Sequence, residues 1–247
     1  MNEVIGSKIE RIDELGSSNN YAATQLLTKR LPEGIVFVAN SQVEGRGQSS
    51  NKWESEPNKN LTFSILLYPD FLEIMKQFEI SKAISLGVVD YLKEVTNDVS
   101  IKWPNDIYIG TKKVAGILIE NSIRLDKISS CIIGIGLNIN QQKFISDAPN
   151  PVSLSQITGQ VYNLGESLSN LCQKIDVRYN QLRNGDFGQI DDDYIDMLYN
   201  RGRWSPYSDE NGDFEGLILG VDQIGRLMIE TRAGKMNKYH FKEVVFK

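Results

Sequence analysis

The stretch from Lys102 to Glu120 constrains the fold of this chain more than any other segment. Two apolar runs rich in β-branched residues flank a Gly110-Thr111 turn, which is the pattern of a β-hairpin. These strands also carry a proline, an aspartate and a lysine, which a plain sheet disfavours. Because Pro104 and Asn105 would interrupt the hydrogen bonding of a strand, we expect a bulge there that turns side chains towards a cleft. Residues that break a local rule in this way often mark a functional site.

Length and charge exclude several classes of protein. The chain has 247 residues, of which 40% are hydrophobic and 24% charged, enough for a large core and a second small domain. Its formal net charge of -5 argues against nucleic acid as a partner. Residues 1–10 lack the apolar region of a signal peptide, and no apolar run approaches the roughly 20 residues of a membrane helix. We therefore expect no membrane partner and a cytoplasmic location.

The cysteines and the histidine limit the chemistry further. Cys131 and Cys172 lie far apart without C-x-x-C spacing, so we predict reduced thiols in the core. His240 is the single histidine, which excludes metal sites built from several histidines and places any Ser-His or Cys-His mechanism on one residue. It lies in residues 236–241, where polar and apolar residues alternate, and this pattern favours an exposed strand position over a catalytic one.

Hydrophobic periodicity predicts helices over residues 19–30, with Ser17 or Ser18 as N-cap, and over 84–95, 164–182 and 190–200. Short β-branched runs predict strands over 35–39, 61–67 and 128–140. After about residue 205 the pattern changes to short strands and glycine turns, with strands over 214–221, 227–230 and 239–246. We therefore predict a mixed α and β core domain over residues 1–203 and a small β-barrel domain over residues 204–247.

Three features suggest ligand contacts but have ordinary explanations as well. The polar connection over residues 40–60 carries Gly45-Arg46-Gly47, whose backbone N–H groups and guanidinium suit a carboxylate or phosphate, although such a tripeptide is also typical of a surface loop. Trp53 either stacks on an aromatic base or shields the edge of the core. Lys113, with Gly116 leaving room nearby, is either a ligand contact or a solvated lysine at a hairpin end.

Two glycines interrupt the buried strand pattern over residues 128–140. Gly134 and Gly136 would each weaken a strand, so they indicate the close approach of a ligand or of another backbone.

Together, four ordered motifs resemble those of the biotin protein ligases over roughly residues 10 to 230. They are the Gly-Arg-Gly…Trp loop at Gly45 to Trp53, the Lys-Trp-Pro-Asn-Asp segment at Lys102 to Asp106, the Lys-x-x-Gly-Ile-Leu-x-Glu strand at Lys113 to Glu120, and the Gly-Ile-Gly-x-Asn strand at Gly134 to Asn138. Ser17-Ser18-Asn19 is similar to the family's early Ser-Thr-Asn segment. The resemblance implies an α+β fold, a mixed β-sheet with flanking helices like a class II synthetase, followed by a small SH3-like β-barrel.

The resemblance also implies an activity and its substrates. Biotin and MgATP would form biotinyl-5′-AMP with loss of pyrophosphate, and a lysine of a biotin carboxyl carrier protein would then attack the mixed anhydride. Lys113 and Arg46 match the family's catalytic cations. The positions that match the family's biotin contacts are Ser17, Ser18, Asn19, Gln42, Gly45, Arg46, Gly47, Gln48, Lys113 and Gly116. Lys52, Trp53, Lys113 and Asn138 match the ATP side, and Asp106 is a candidate for placing Mg²⁺ or a substrate group.

The chain departs from the family's pattern in three places. Many relatives have further arginines and glycines where this chain has Gln48, Ser49, Ser50 and Asn51. We therefore expect weaker binding of pyrophosphate and of the adenylate. Leu219 replaces an arginine of the C-terminal domain. The Ser17-Ser18-Asn19 segment comes too early for the family's DNA-binding domain, so we expect a monofunctional ligase without repressor activity.

Two rival interpretations and one structural question stay open. A lipoate or octanoyl transfer enzyme of the same superfamily is disfavoured by the Gly-Arg-Gly loop and by the Lys102 to Asp106 segment. A biotin-binding or adenylate-sensing module without turnover would fit the loop's low number of cations. The sequence also leaves open whether the chain is a monomer or a homodimer.

Overall fold

The computed structural model of the chain describes residues 4–48, 51–146 and 149–247. A seven-stranded sheet forms its centre, with the strands in the order β1-β2-β3-β7-β6-β5-β4. β1 pairs with β2 in parallel, and the other neighbouring strands are antiparallel. The strands are β1 (Ile9–Leu15), β2 (Val36–Gln42), β3 (Leu61–Leu67), β4 (Val99–Lys102), β5 (Asp106–Ile109), β6 (Lys112–Arg124) and β7 (Lys127–Leu137).

Helices cover both faces of this sheet. They are α1 (Ser18–Thr28), α2 (Phe78–Leu92), α3 (Leu154–Thr158), α4 (Leu164–Arg183) and α5 (Phe187–Asp196), with a 3-10 turn at Ile74–Lys76. α1 packs on β2, β3 and β7, whereas α2 packs against α4 and α5 and carries the larger core. Successive side chains of a strand point to opposite faces of the sheet, which produces two hydrophobic clusters: Val36 belongs to the larger one, and Phe37 to the one on the α1 side. The predicted mixed sheet with flanking helices is confirmed.

The region around Lys102 contains two hairpins. Residues 103–105 form the turn between β4 and β5, so the bulge predicted at Pro104-Asn105 is wrong: a tight turn accommodates the proline instead. The bulge lies in the β5–β6 pair, where the register shifts between Ile107 and Tyr108 and Val114 is the extra residue. In a regular strand Lys113 and Gly116 would point to opposite faces, since their separation is odd. The bulge turns both to the α1 face.

A second sheet follows in the C-terminal region. Its strands are β8 (Trp204–Asp209), β9 (Gly212–Val221), β10 (Leu227–Thr231), β11 (Met236–Tyr239) and β12 (Val245–Phe246), in the order β11-β10-β9-β8-β12. The strand pairing found in the described residues leaves β11 and β12 as edges and does not close the predicted barrel. A continuous strand over 239–246 is also wrong, because a turn separates β11 from β12. His240 follows β11 and is exposed.

Trp103 joins the two sheets. Its indole Nε1 donates a buried hydrogen bond of 2.9 Å to Gly225 O, and its ring contacts Phe241 edge-on at 6.5 Å between centroids. Gly225 has φ +88°, and a Cβ there would lie 2.4 Å from the Phe78 ring of α2, so glycine is required on both counts. The C-terminal sheet is thereby held beside the β4–β5 turn.

Cys131 and Cys172 are both buried, and burial raises the pKa of the Cys131 thiol well above its ordinary value. Within the described ranges, every helix is too short or too polar to cross a membrane.

Candidate active site

A cavity of about 390 Å³ opens on the α1 face of the central sheet. Its size lies within the usual range for small-molecule sites. Several segments distant in sequence line it: the start of α1, the loop after β2, the β4–β5 turn, the glycine-rich parts of β6 and β7, and the segment that ends in β12. The lining residues that the resemblance assigns to substrates are Ser17, Ser18, Asn19, Gln42, Arg46, Gly47, Gln48, Lys52, Trp53, Asp106, Lys113 and Gly116.

One end of the cavity is a buried hydrogen-bond network at the start of α1. Ser64 Oγ lies 2.8 Å from Ser18 Oγ and donates to Asn19 Oδ1 at 2.6 Å. The Ser18 backbone N–H donates to Gln42 Oε1 at 2.7 Å. Asn19 is buried at 2% exposure, and a Cβ on Gly134 would lie 2.5 Å from its Oδ1. Polar groups held rigidly in this way can select a polar ligand ring by hydrogen bonding.

Trp53 covers the floor of the cavity. Its indole lies over the paired residues Gly116 and Gly136: a Cβ would be 3.0 Å from the ring at the first and 2.2 Å at the second. The approach predicted for the strand glycines therefore exists, but side chains of the protein itself make it, namely Trp53 over Gly136 and Asn19 beside Gly134. The Trp53 Nε1 is buried and finds no acceptor among the described residues.

Lys113 brings a positive charge into the cavity. Its Nζ lies 2.6 Å from Asp106 Oδ1 and 5.6 Å from the centroid of the Trp53 ring. Lys113 N and O bond to Asn150 O and Val152 N, at 2.8 and 2.9 Å, which fixes the backbone beside the bulge. The ammonium is therefore presented from a rigid strand, as electrostatic stabilisation of a developing charge requires.

The loop after β2 brings Arg46 to the rim. Gly47 N donates to Asn51 O at 2.8 Å and Trp53 N donates to Gly45 O at 2.9 Å, so the described residues on both sides of the loop pair with each other. Arg46 Nη2 forms an ion pair of 2.6 Å with Glu120 Oε1, and Nη1 donates to Asn20 Oδ1. The Gln48 Oε1 is buried and unpartnered within the described part of the chain.

Lys102 is a cavity residue that sequence reasoning did not select. Its Nζ lies 5.1 Å from the Tyr108 ring centroid, 5.2 Å from that of Phe246 and 3.3 Å from Tyr108 Oη. No carboxylate lies within 4 Å of it among the described residues. Burial lowers the pKa of Lys102, Asp106 raises it and Lys113 lowers it further. A half-buried ammonium without an ion-pair partner favours an anionic ligand.

Two residues assigned to substrates do not line the cavity. Gly45 is buried beneath Trp53, where a Cβ would lie 2.4 Å from Trp53 O, so it allows the loop to close on itself. Asn138 lies behind Lys113, with Nδ2 donating to Val152 O at 3.2 Å and the backbone N donating to Val114 O at 2.9 Å. Its Oδ1 is buried and has no partner within the described residues.

The residues around Asp106 bear on the predicted magnesium site. Across the described chain, no three histidine, cysteine or acidic side chains gather as a metal site. Asp106 is the one carboxylate among the described lining residues. Mg²⁺ that accompanies a nucleotide takes most of its ligands from phosphates and water, with one or two carboxylates from the protein. One carboxylate is enough for a metal brought in with ATP, and Asp106 is the residue that would hold it.

Comparison with known proteins identifies the family. A sequence model of the biotin/lipoate A/B protein ligase family matches residues 12–138, which include the loop, the β4–β5 turn and both glycine-rich strands. The chain belongs to this family. It is 33% identical to the bifunctional ligase/repressor BirA of Bacillus subtilis over 238 residues, which cover 94% of this chain and 72% of that protein.

Further relatives agree with this membership. The ligase is 24% identical over 229 residues to the biotin–[acetyl-CoA-carboxylase] ligase of Mycobacterium tuberculosis, covering 91% of this chain and 84% of the other. Its structure resembles that of the biotin protein ligase from Aquifex aeolicus in complex with biotin and ATP, with a TM-score of 0.80 and 26% identity over 98% of this chain and 99% of that one. The resemblance to the biotin protein ligases is thus confirmed.

Proposed function

We propose that this chain activates biotin with ATP as biotinyl-5′-AMP and transfers biotin to a lysine of a biotin carboxyl carrier protein. The observation that supports this best is the position of the Lys113 ammonium. It lines one cavity together with the polar groups around Ser18 and the ammonium of Lys102, which has no ion-pair partner among the described residues. A site that joins a carboxylate to a nucleotide needs this arrangement, because two anions must approach each other.

In the first step a biotin carboxylate oxygen attacks the α-phosphorus of ATP. A new oxygen–phosphorus bond forms, and the bond to the β-phosphate breaks with its electron pair leaving on pyrophosphate. Lys113 would lie between the biotin carboxylate and the α-phosphate and reduce the repulsion between them. Arg46, at the rim, would donate to the same oxygens, and Lys102 would stabilise the negative charge that develops on the leaving pyrophosphate.

In the second step the neutral amine of the carrier lysine attacks the acyl carbon of biotinyl-5′-AMP. An amide bond forms, AMP leaves with the electron pair of the broken anhydride bond, and the nitrogen releases a proton. The acyl carbon must be accessible to a protein-borne lysine, and the cavity lining includes the exposed residues Arg46 and Lys242. Lys113 would also stabilise the negative charge that develops on the leaving phosphate.

Ligand selection follows from the two ends of the cavity. Ser17, Ser18, Asn19 and Gln42 would bind the polar ring of biotin, with Gly47, Gln48 and Gly116 shaping the space around it. Gly45 would act indirectly, by allowing the loop to close on itself. Trp53 and Lys52 would contact ATP, and Asn138 would support the strand beneath. Mg²⁺ would arrive with ATP beside Asp106 and supply charge neutralisation.

We also propose a domain boundary between residues 203 and 204. A cytoplasmic location and the oligomeric state stay predictions.

Exchange of labelled pyrophosphate into ATP tests the first step. The purified protein is incubated with MgATP and biotin, with lipoate, or with neither acid. Exchange that depends on biotin is expected, and exchange with lipoate alone would favour the lipoate rival. Absence of exchange from a protein that still binds biotin would favour the binding module. Transfer is then tested with a biotin carboxyl carrier protein, detected as a mass increase on one lysine.

A further inference from the structure

Glu120 stands between two groups of the site without lining the cavity. Its Oε2 accepts a hydrogen bond of 2.7 Å from Asn19 Nδ2, and its Oε1 forms the ion pair of 2.6 Å with Arg46 Nη2. Glu120 pairs with Ile132 across β6 and β7, on the same face as Gly116 and Gly134. One carboxylate on a central strand therefore contacts both the polar end of the cavity and the rim.

We propose that Glu120 is a positioning residue, which holds Arg46 over the cavity and Asn19 within it; this inference rests on the proposed function. The residue acts through these two partners rather than on the substrates. Because the two oxygens of one carboxylate serve the two groups, the position of Arg46 depends on that of Asn19. The binding of the biotin ring and the placement of the cation at the rim would then be coupled.

The surroundings of Asn19 explain why this support is rigid. Asn19 is buried, its Oδ1 accepts from Ser64, and its Nδ2 also donates to Leu118 O at 3.3 Å. The Asn19 amide occupies the space that a Cβ on Gly134 would take. The carboxylate of Glu120 is thus oriented by a fixed group, whereas Arg46 and Glu120 are themselves 42% and 38% exposed. An exposed ion pair alone would orient Arg46 weakly.

The geometry also leaves Arg46 available to a ligand. A guanidinium has five N–H donors. Glu120 takes one of them and Asn20 Oδ1 takes another, so the remaining donors can face a carboxylate or a phosphate. Glu120 therefore orients the cation without occupying all of its donors. This arrangement differs from an inhibitory ion pair, which a ligand would have to break.

Tryptic cleavage tests the contact independently of catalysis. Trypsin must take the Arg46 side chain into its own pocket, so cleavage after Arg46 reports how often that side chain leaves Glu120 and Asn20. Cleavage after Lys52 in the same loop serves as an internal reference. We expect E120Q and N20A to raise the ratio of Arg46 to Lys52 cleavage, by up to about fivefold for an exposed contact of this kind. N20A alters an exposed residue, so loss of folding cannot explain its effect.

Kinetics test the consequence for the reaction. In pyrophosphate exchange, E120Q should raise the KM for biotin by up to about fivefold, the same limit that applies to the exposed contact it weakens. The KM for ATP should change less. The matched control is E215Q, which removes the carboxylate of the exposed ion pair between Glu215 and Arg232 in the C-terminal sheet. E215Q should leave both the cleavage ratio and the KM for biotin unchanged.

The outcomes separate this inference from the proposed function. If the unaltered protein exchanges pyrophosphate with biotin but E120Q matches E215Q in cleavage and in KM, the role of Glu120 is wrong and the proposed function stands. A raised cleavage ratio without a change in KM for biotin would also overturn the coupling. If the unaltered protein shows no exchange with biotin, the proposed function fails, and the coupling fails with it.

Discussion

The ammonium of Lys113 lies 2.6 Å from the carboxylate of Asp106, and the two side chains have similar exposures of 23% and 25%. The bulge at Val114 makes this contact possible, because it places Lys113 on the face that carries Gly116. The pair is electrically neutral as a whole, so the lysine can remain in the cavity before an anion binds. A substrate carboxylate or phosphate would share the ammonium with Asp106 or replace it.

Removal of the Lys113 charge should abolish adenylation. We expect K113A to lower biotin-dependent pyrophosphate exchange by about 10²–10³-fold, the usual effect of losing one preorganised group that stabilises developing charge. The fold should persist, since a partly exposed ion pair contributes little to stability. K112A, which alters the exposed neighbour, is the control and should retain full exchange. Exchange retained by K113A would overturn the role of Lys113.

Trp53 should matter more for ATP than for biotin. If the indole stacks on the base, W53A should weaken the binding of ATP by about 1–3 kcal/mol, the range measured for such stacking. G136A should act in the same direction, because its Cβ would meet the indole at 2.2 Å and displace it. Calorimetric titration with ATP and with biotin measures both affinities. Greater loss for biotin than for ATP would contradict the assignment, and W204A in the C-terminal sheet should change neither.

Deprotonation of Lys102 should lower kcat/KM for ATP at alkaline pH. Burial lowers the pKa of Lys102 below its ordinary 10.5, so the free enzyme loses this charge at a lower pH than an exposed lysine would. Since kcat/KM reports the ionisations of the free enzyme, kcat/KM for ATP should fall as the pH rises through that lowered pKa. At pH values below this pKa, K102M should weaken the binding of ATP by about 1.5–3 kcal/mol.

K102R provides the control for this pH dependence, because a guanidinium stays charged across the accessible range. Its alkaline fall should move to higher pH or disappear. An alkaline fall at the same pH in K102R and in the unaltered enzyme would show that another group causes it.

The loop after β2 should release the adenylate readily. Gln48 lines the cavity in place of a cation, and Asn51 also lines it, whereas Ser49 and Ser50 lie outside the described residues. We expect biotinyl-5′-AMP to leave this enzyme faster than it leaves an arginine-rich relative. Q48R should slow the release by about tenfold, since it adds a charged donor near the phosphate. Stopped-flow dilution measures the off-rate, with Q160R at an exposed site as control. Equal or slower release than the relative would refute the hypothesis.

The sequence predicted most of the elements whose apolar pattern is local. The strand over 61–67 is observed at Leu61–Leu67, and the long helix over 164–182 is observed at Leu164–Arg183. The edge strand β1 was not predicted, because its burial alternates only weakly along Ile9–Leu15. β4 and α3 were also missed: they are short, and their formation depends on pairing and packing with distant segments.

For the site, the sequence by itself determined which chemical groups are present: the loop arginine, the lysine after the turn, the polar start of α1 and the glycines that admit large neighbours. Only the tertiary structure decided where they meet. Strand register depends on cross-strand partners, so the bulge that turns Lys113 towards Gly116 has no local signal. Phe246 reaches Lys102 because Trp103 holds the C-terminal sheet, and Glu120 joins Asn19 to Arg46 because β6 runs beneath both. Such contacts are made by the packing of segments far apart in the chain.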